Sequence, residues 1–154
     1  MSEQAIKFRP CKFPKDLSGI MKLEKQSFGA EAFPATEFLM LYAMGRETFW
    51  IVERQGEIIA YICAFVEDHY GYIASIAVDP KERRKGIGKD MIEHLINLLK
   101  SKPGIKGIVL HVRQSNQSAI ALYRKLKFIP EALIPDYYPD KGVAIQMKLE
   151  FDRA

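Results

Sequence analysis

The chain has 154 residues, 48% of them hydrophobic and 27% charged, with a formal net charge of +4. So much apolar content at so small a net charge excludes a disordered chain, and the length suits one domain spanning 1–154. No apolar run approaches the ~18–20 residues of a membrane span.

Met1-Ser2-Glu3-Gln4 lacks the cationic start and apolar stretch of a signal peptide. Two cysteines, Cys11 and Cys63, are too few for a disulfide framework, so a reducing, cytoplasmic setting is expected. Lys and Arg, 23 in all, are spread along the chain, with one dense run at Lys81-Glu82-Arg83-Arg84-Lys85. This charge does not amount to specific nucleic-acid binding.

A short strand is expected at 6–9. Leu17, Ile20, Met21 and Phe28 then recur at helical spacing, with Asp16 as N-cap. A turn over 29–34 leads to a second helix at 36–44. Residues 48–53 and 58–67 are rich in β-branched and aromatic residues and flank Arg54-Gln55-Gly56-Glu57, which predicts an antiparallel hairpin. Tyr70–Val78 is a third such run, stopped by Asp79-Pro80.

Ile87, Met91, Ile92, Leu95, Leu98 and Leu99 mark one face of a long helix ended by Pro103-Gly104. Residues 105–112 are nearly all apolar, as in a strand covered on both faces. A shorter helix follows at 116–126, with Ala119, Tyr123 and Leu126 on one side. The tail holds three prolines and a closing strand at 143–149. Strands and helices alternate only from Tyr70 onwards. The pattern predicts an α+β, or mixed α/β, sheet, antiparallel at first, with a parallel pair joined by the long helix.

The stretch Asp79-Pro80-Lys81-Glu82-Arg83-Arg84-Lys85-Gly86-Ile87-Gly88-Lys89 joins a strand to a helix start. Unpaired amides and the helix dipole favour an anion there, and Gly86 and Gly88 let backbone approach it closely. The G-x-G-x-x-G spacing of dinucleotide folds is missing, and no Gly-Lys-Ser/Thr of a P-loop follows.

Arg83-x-x-Gly86-x-Gly88 resembles the Arg/Gln-x-x-Gly-x-Gly/Ala signature of the GNAT acetyltransferases, and it follows Ile76-Ala77-Val78-Asp79-Pro80 at the family's spacing. Downstream, Val112-Arg113-x-Ser115-Asn116-x-x-Ala119-Ile120-x-Leu122-Tyr123 and then Phe128 resemble the second half of that fold. The likeness is strongest over 58–128. Within the family, the stretch from Asn116 to Phe128 and Tyr137-Tyr138 are most similar to N-terminal protein acetyltransferases, including the ribosomal-protein alanine acetyltransferase type.

The resemblance implies a GNAT fold: a central mixed sheet splayed between the two parallel strands, with helices on both faces. It also implies acetyl-CoA as cosubstrate. The pantetheine amides would pair with the backbone of Ile76, Ala77 and Val78. The pyrophosphate would sit on the amides from Arg84 through Lys85, Gly86, Ile87 and Gly88 to Lys89, and Asn116 would hold the cosubstrate through its side-chain amide. Acceptors would be protein or peptide N-termini, and the likeness leaves room for an auxiliary subunit or ribosome association. A GNAT acting on lysine side chains or a small-molecule amine is the alternative.

Acetyl transfer needs a neutral amine, a polarised thioester carbonyl and a proton for the departing thiolate. An N-terminal ammonium has a pKa of about 7.7–8.0, so a modest base suffices. A backbone amide of 76–78 can serve the oxyanion. At Leu110-His111-Val112 the alanine-acetyltransferase type carries Leu-Glu-Val. Some eukaryotic members carry Leu-His-Val, with the histidine as base beside a strand tyrosine.

His111 is therefore the expected base, with Tyr72 or Tyr70 sharing the role and Glu31 a further candidate. In the family the tyrosine at Tyr123 donates to the CoA sulfur. It lies two helical turns after Asn116. His69 and His94 lack such context and read as surface residues. Cys63 reads as a buried strand thiol. No Cys/His cluster has metal-ligand spacing, so no metal is expected.

On the acceptor side, Phe33-Pro34 resembles the loop that grips the peptide N-terminus, and Tyr137-Tyr138-Pro139 the opposing loop. Adjacent tyrosines in a proline-bounded segment can flank a peptide and hydrogen-bond its carbonyls.

Overall fold

The computed structural model describes residues 5–152; the segment 1–4, read as lacking a signal peptide, lies outside the described residues. The strands among these are β1 (Lys7–Pro10), β2 (Phe49–Arg54), β3 (Glu57–Glu67), β4 (Tyr70–Val78), β5 (Gly107–Arg113), β6 (Ile129–Ile134) and β7 (Ala144–Glu150). The helices are α1 (Leu17–Phe28), α2 (Ala35–Met44), α3 (Ile87–Lys100) and α4 (Gln117–Lys125).

The strands form one mixed α/β sheet in the order β1-β2-β3-β4-β5-β7-β6. β1, β2 and β3 pair antiparallel, and so do β5, β7 and β6, whereas β4 and β5 run parallel. This is the expected front meander followed by a parallel pair bridged by α3. The β4–β5 ladder consists of three pairs, from Tyr70↔Gly107 to Tyr72↔Val109. No helix of the described residues is long and apolar enough to cross a membrane.

The chain divides into two compact units, Met1–Phe65 with Ala74–Ile92 and Val66–Ile73 with Glu93–Ala154. The first is packed around aromatic rings contributed by α2, β2 and β3. Phe38 meets Tyr61 edge-on at 5.9 Å and Phe49 at 6.3 Å. Ile20, Leu23, Leu41 and Ile51 complete this core. Each such side chain, fully buried, contributes about 1.5–3 kcal/mol. Gln55 and Gly56 both take positive φ, which suits the tight, right-twisted turn that reverses β2 into β3.

In the second unit β5 lies between two strand neighbours, and Gly107 to Leu110 are buried, as its unbroken apolar sequence predicts. Leu99 of α3 lies so close over Gly71 that a Cβ there would collide with its methyl group. Ile108, Phe128 and Met147 are likewise sealed from solvent.

Four expectations are corrected. Asp16 does precede α1, but its carboxylate does not cap the helix. It accepts from both Nη atoms of Arg9 and from the Lys12 amide, each at 2.8 Å. Phe28 is 41% exposed rather than on the core face. His94 is half-buried, and burial lowers its pKa. The proline-rich tail contains β6, a strand nearly all exposed and therefore without apolar alternation. Its Pro130 is tolerated because an edge strand can lack an amide donor.

Candidate active site

The basic loop after β4 is a folded structure with several internal ties. Asp79 donates its amide to the Ile59 carbonyl, and its carboxylate accepts the Lys81 amide at 3.0 Å. Arg83 turns back, its Nε donating to the Val78 carbonyl at 3.2 Å, so this signature residue pins the loop to the end of β4. Glu82 accepts from Arg54 at 2.6 Å and from Lys85 at 3.2 Å. Those two hydrogen bonds, Arg54 first, hold its carboxyl below the usual carboxylate range.

Arg84 and Gly86 have φ of 66° and 84°, with Lys85 between them outside that region. α3 begins at the next residue, so the amides of a helix start that have no partner within the helix lie here and favour an anion. A Cβ built on Gly86 would meet nothing within 4 Å. The backbone there is open to an incoming group and takes a conformation that glycine adopts without strain. This donor set fits a pyrophosphate. Ile76, Ala77 and Val78 follow the last position at which β4 pairs with β5.

In the second unit, His111 lies on β5 with Nε2 2.9 Å from Oε1 of Gln146. Its ring stacks on Tyr137 at 5.0 Å, with 16° between planes, and Tyr138 meets Tyr137 edge-on at 4.9 Å. The Tyr137-Tyr138 loop is pinned by its own backbone, the Tyr137 amide donating to the Gly142 carbonyl at 3.1 Å. Arg113 stacks over Tyr138 at 4.2 Å and binds both Asp140 oxygens at 3.1 Å. The predicted base and the predicted acceptor loop are thus in contact.

Asn116 stands at the N-terminus of α4, where its Oδ1 accepts from the Ala119 amide at 3.2 Å and from the Ser118 hydroxyl at 3.3 Å. Its carbonyl oxygen caps the helix, which leaves its NH₂ group as the donor side. Tyr123 is buried on α4, 6.1 Å from Phe128. Burial, and to a lesser degree Tyr138, pushes its phenol up to about 12, so it stays protonated at neutral pH and keeps a proton to donate.

Tyr70 donates its hydroxyl to Glu150 at 2.8 Å, and this bond raises its pKa. That hydroxyl is engaged at the far end of β4. Tyr72 is half-buried mid-strand, and Glu31 ends the turn after α1. Phe33 packs on Phe38 at 5.9 Å, with Pro34 beside it at the start of α2. Cys63 is fully buried, and burial raises its pKa. Among the described residues, no group of three or more His, Cys, Asp and Glu could hold a metal ion.

Sequence reasoning missed Glu24. It is 2% exposed and accepts from the Phe33 amide at 2.8 Å, from Ser75 Oγ at 2.7 Å and from the Tyr61 hydroxyl. The charge, with burial the larger cause, raises the Tyr61 pKa far above a free phenol. The signal was available, because position 24 falls on the apolar stripe that Ile20 and Met21 begin. A carboxylate there must be held by partners.

The model of the acetyltransferase (GNAT) family matches residues 17–128, and the chain belongs to this family of acyltransferases. The ribosomal protein bS18-alanine N-acetyltransferase of Escherichia coli K12 is 34% identical over 125 residues, covering 80% of this chain and 82% of the relative. Among solved structures, Ard1 from Thermoplasma volcanium matches with a TM-score of 0.89 at 25% identity, covering 97% of this chain and 99% of that one. NAA60 of Arabidopsis thaliana in complex with acetyl-CoA matches in fold, with a TM-score of 0.85 at 20% identity and coverage of 96% and 100%.

Proposed function

We propose that residues 1–154 work as one cytoplasmic N-acetyltransferase domain that moves acetyl from acetyl-CoA to the α-amino group of protein or peptide N-termini. The observation that carries this reading is His111 stacked on Tyr137 at 5.0 Å. A base in contact with a pair of amphipathic rings suits a peptide end whose ammonium must lose a proton while its carbonyls are held. The bS18-alanine relative supports the same acceptor class.

Acetyl-CoA supplies the activated thioester. The amides from Arg84 to Lys89 receive its pyrophosphate, the backbone of Ile76 to Val78 its pantetheine, and the Asn116 NH₂ group adds a side-chain donor. His111 takes the proton of the acceptor ammonium, directly or through one water, with Tyr72 assisting. The freed lone pair then forms the new N–C bond as the C–S bond breaks, and the second proton of the new amide nitrogen leaves to solvent. Tyr123 gives its proton to the leaving sulfur and recovers one from solvent. Phe33-Pro34 and Tyr137-Tyr138 hold the first residues of the peptide.

Two variants test these roles together. His111→Ala is expected to lower kcat by on the order of 10²-fold, the contribution of a positioned base. Tyr123→Phe is expected to lower kcat while acetyl-CoA affinity stays unchanged, since only the donated proton is lost. Wild-type kcat in both would overturn the assignment.

A further inference from the structure

A chain of side-chain hydrogen bonds across three strands ends on the His111 ring. His111 on β5 faces Gln146 on β7, and Gln146 in turn faces Ala132 on β6. The register shifts between Pro130 and Ala132. In a regular strand Glu131 would point to the opposite face from Ala132. The bulge turns its side chain to the same face, where Gln146 Nε2 donates to Glu131 Oε2 at 2.6 Å.

The chemistry of these groups fixes the direction of every proton. A carboxylate only accepts, so Gln146 must turn its NH₂ group to Glu131. Glu131 also accepts from Lys148, at 3.3 Å. The Gln146 bond first, and then Lys148, hold its carboxyl below the usual carboxylate range and keep it ionised at neutral pH. With its NH₂ group committed, Gln146 presents Oε1 to the ring at 2.9 Å. A carbonyl oxygen also only accepts, so Nε2 of His111 carries the hydrogen. A neutral imidazole has one N–H, and the lone pair therefore resides on Nδ1.

We infer that Gln146 and Glu131 are positioning residues that hold His111 as the Nε2–H tautomer, so that Nδ1 is the atom that takes the ammonium proton. The inference rests on the reading of His111 as the base. The arrangement follows the logic of a nucleophile's base oriented by a third group, with an amide interposed between imidazole and carboxylate. When Nδ1 gains its proton, Nε2–H keeps its bond to Gln146.

The test reads the tautomer directly and rate separately. Nitrogen-15 NMR of histidine-labelled protein in alkaline buffer, with His111 assigned by its loss in His111→Ala, should show Nε2 protonated and Nδ1 bare. Glu131→Lys replaces an acceptor by a donor on an exposed edge strand. Gln146 must then turn its oxygen to the lysine and its NH₂ group to His111, which moves the ring proton to Nδ1. The expected result is a reversed tautomer and a kcat lower by about 10- to 100-fold, with the KM for acetyl-CoA unchanged.

Glu131→Ala removes the carboxylate without supplying a donor, and its kcat should lie between wild type and Glu131→Lys. A wild type with the proton on Nδ1, or a Glu131→Lys protein that keeps Nε2–H, overturns the inference. So does a reversed tautomer at wild-type kcat while His111→Ala is slow. Wild-type kcat in His111→Ala overturns the base reading instead, which separates the two failures.

Discussion

Replacing Glu24 by alanine removes the acceptor of three hydrogen bonds at once. The Tyr61 and Ser75 hydroxyls lie 3.1 Å apart and keep each other as partners, so one of their protons stays satisfied. The other hydroxyl proton and the Phe33 amide lose their acceptor. A largely buried donor left unpaired costs about 1–3 kcal/mol, giving about 2–6 kcal/mol for the pair. At ~2–4 °C per kcal/mol for a chain of this size, Tm should fall by roughly 4–24 °C.

Glu24→Gln should cost less, about 1–2 kcal/mol, the difference between charged and neutral acceptors. Its amide oxygen can keep the Phe33 amide while its NH₂ group meets hydroxyls able to accept. Thermal unfolding followed by circular dichroism measures both. Because Glu24 ties the Phe33 loop to β3 and β4, Glu24→Gln should also raise the KM for peptide and leave that for acetyl-CoA unchanged. A Glu24→Ala protein that melts within ~2 °C of wild type would refute the reasoning.

Gly86→Val should abolish acetyl-CoA binding by calorimetry, because a β-branched residue is strained at a φ of 84° and fills the open space beside the loop. Wild-type binding should weaken in high salt, and a valine variant that binds like wild type would contradict the loop assignment. For Asp16, burial alone would push the carboxyl up, but the Arg9 and Lys12 hydrogen bonds outweigh it and leave the pKa lowered. Its contribution is therefore fully present above the unfolded value of ~3.9 and is lost as pH falls through the lower folded one. Asp16→Asn should be less stable at neutral pH yet lose less on acidification in denaturant titrations; equal losses would speak against this.

Periodicity and turn chemistry made most of the frame legible. Tyr70–Val78 begins and ends where its apolar run does, because Asp79-Pro80 stops it, and the alternation of α3 places Met91, Ile92, Leu95 and Leu99 in the interior. The basic loop was readable from Gly86 and Gly88 beside a helix start.

What stayed hidden depends on pairing between distant segments. Arg9 claims the Asp16 carboxylate from seven residues away, so a good capping residue does not cap. β6 exists because β7 offers it a ladder, although its own residues carry no buried face. Gln146 and Glu131 have no local signature at all, and only the bulge in β6 brings them into line with His111. Arg83, by contrast, belonged to a legible motif, but its bond to the Val78 carbonyl gave it a fastening role that spacing could not reveal.

The central claim is that the acceptor is a chain end. An α-ammonium of pKa about 7.7–8.0 releases its proton far more readily than a lysine ammonium of about 10.4, so at neutral pH about two orders of magnitude more of it is already neutral. The decisive measurement is kcat/KM on two sets of peptides of the same sequences, one with free N-termini and one with blocked N-termini and a free lysine. The account predicts much faster acetylation of the free N-termini. Equal or greater activity on the blocked set would contradict it in favour of lysine transfer, and activity on neither would contradict it in favour of a small-molecule amine.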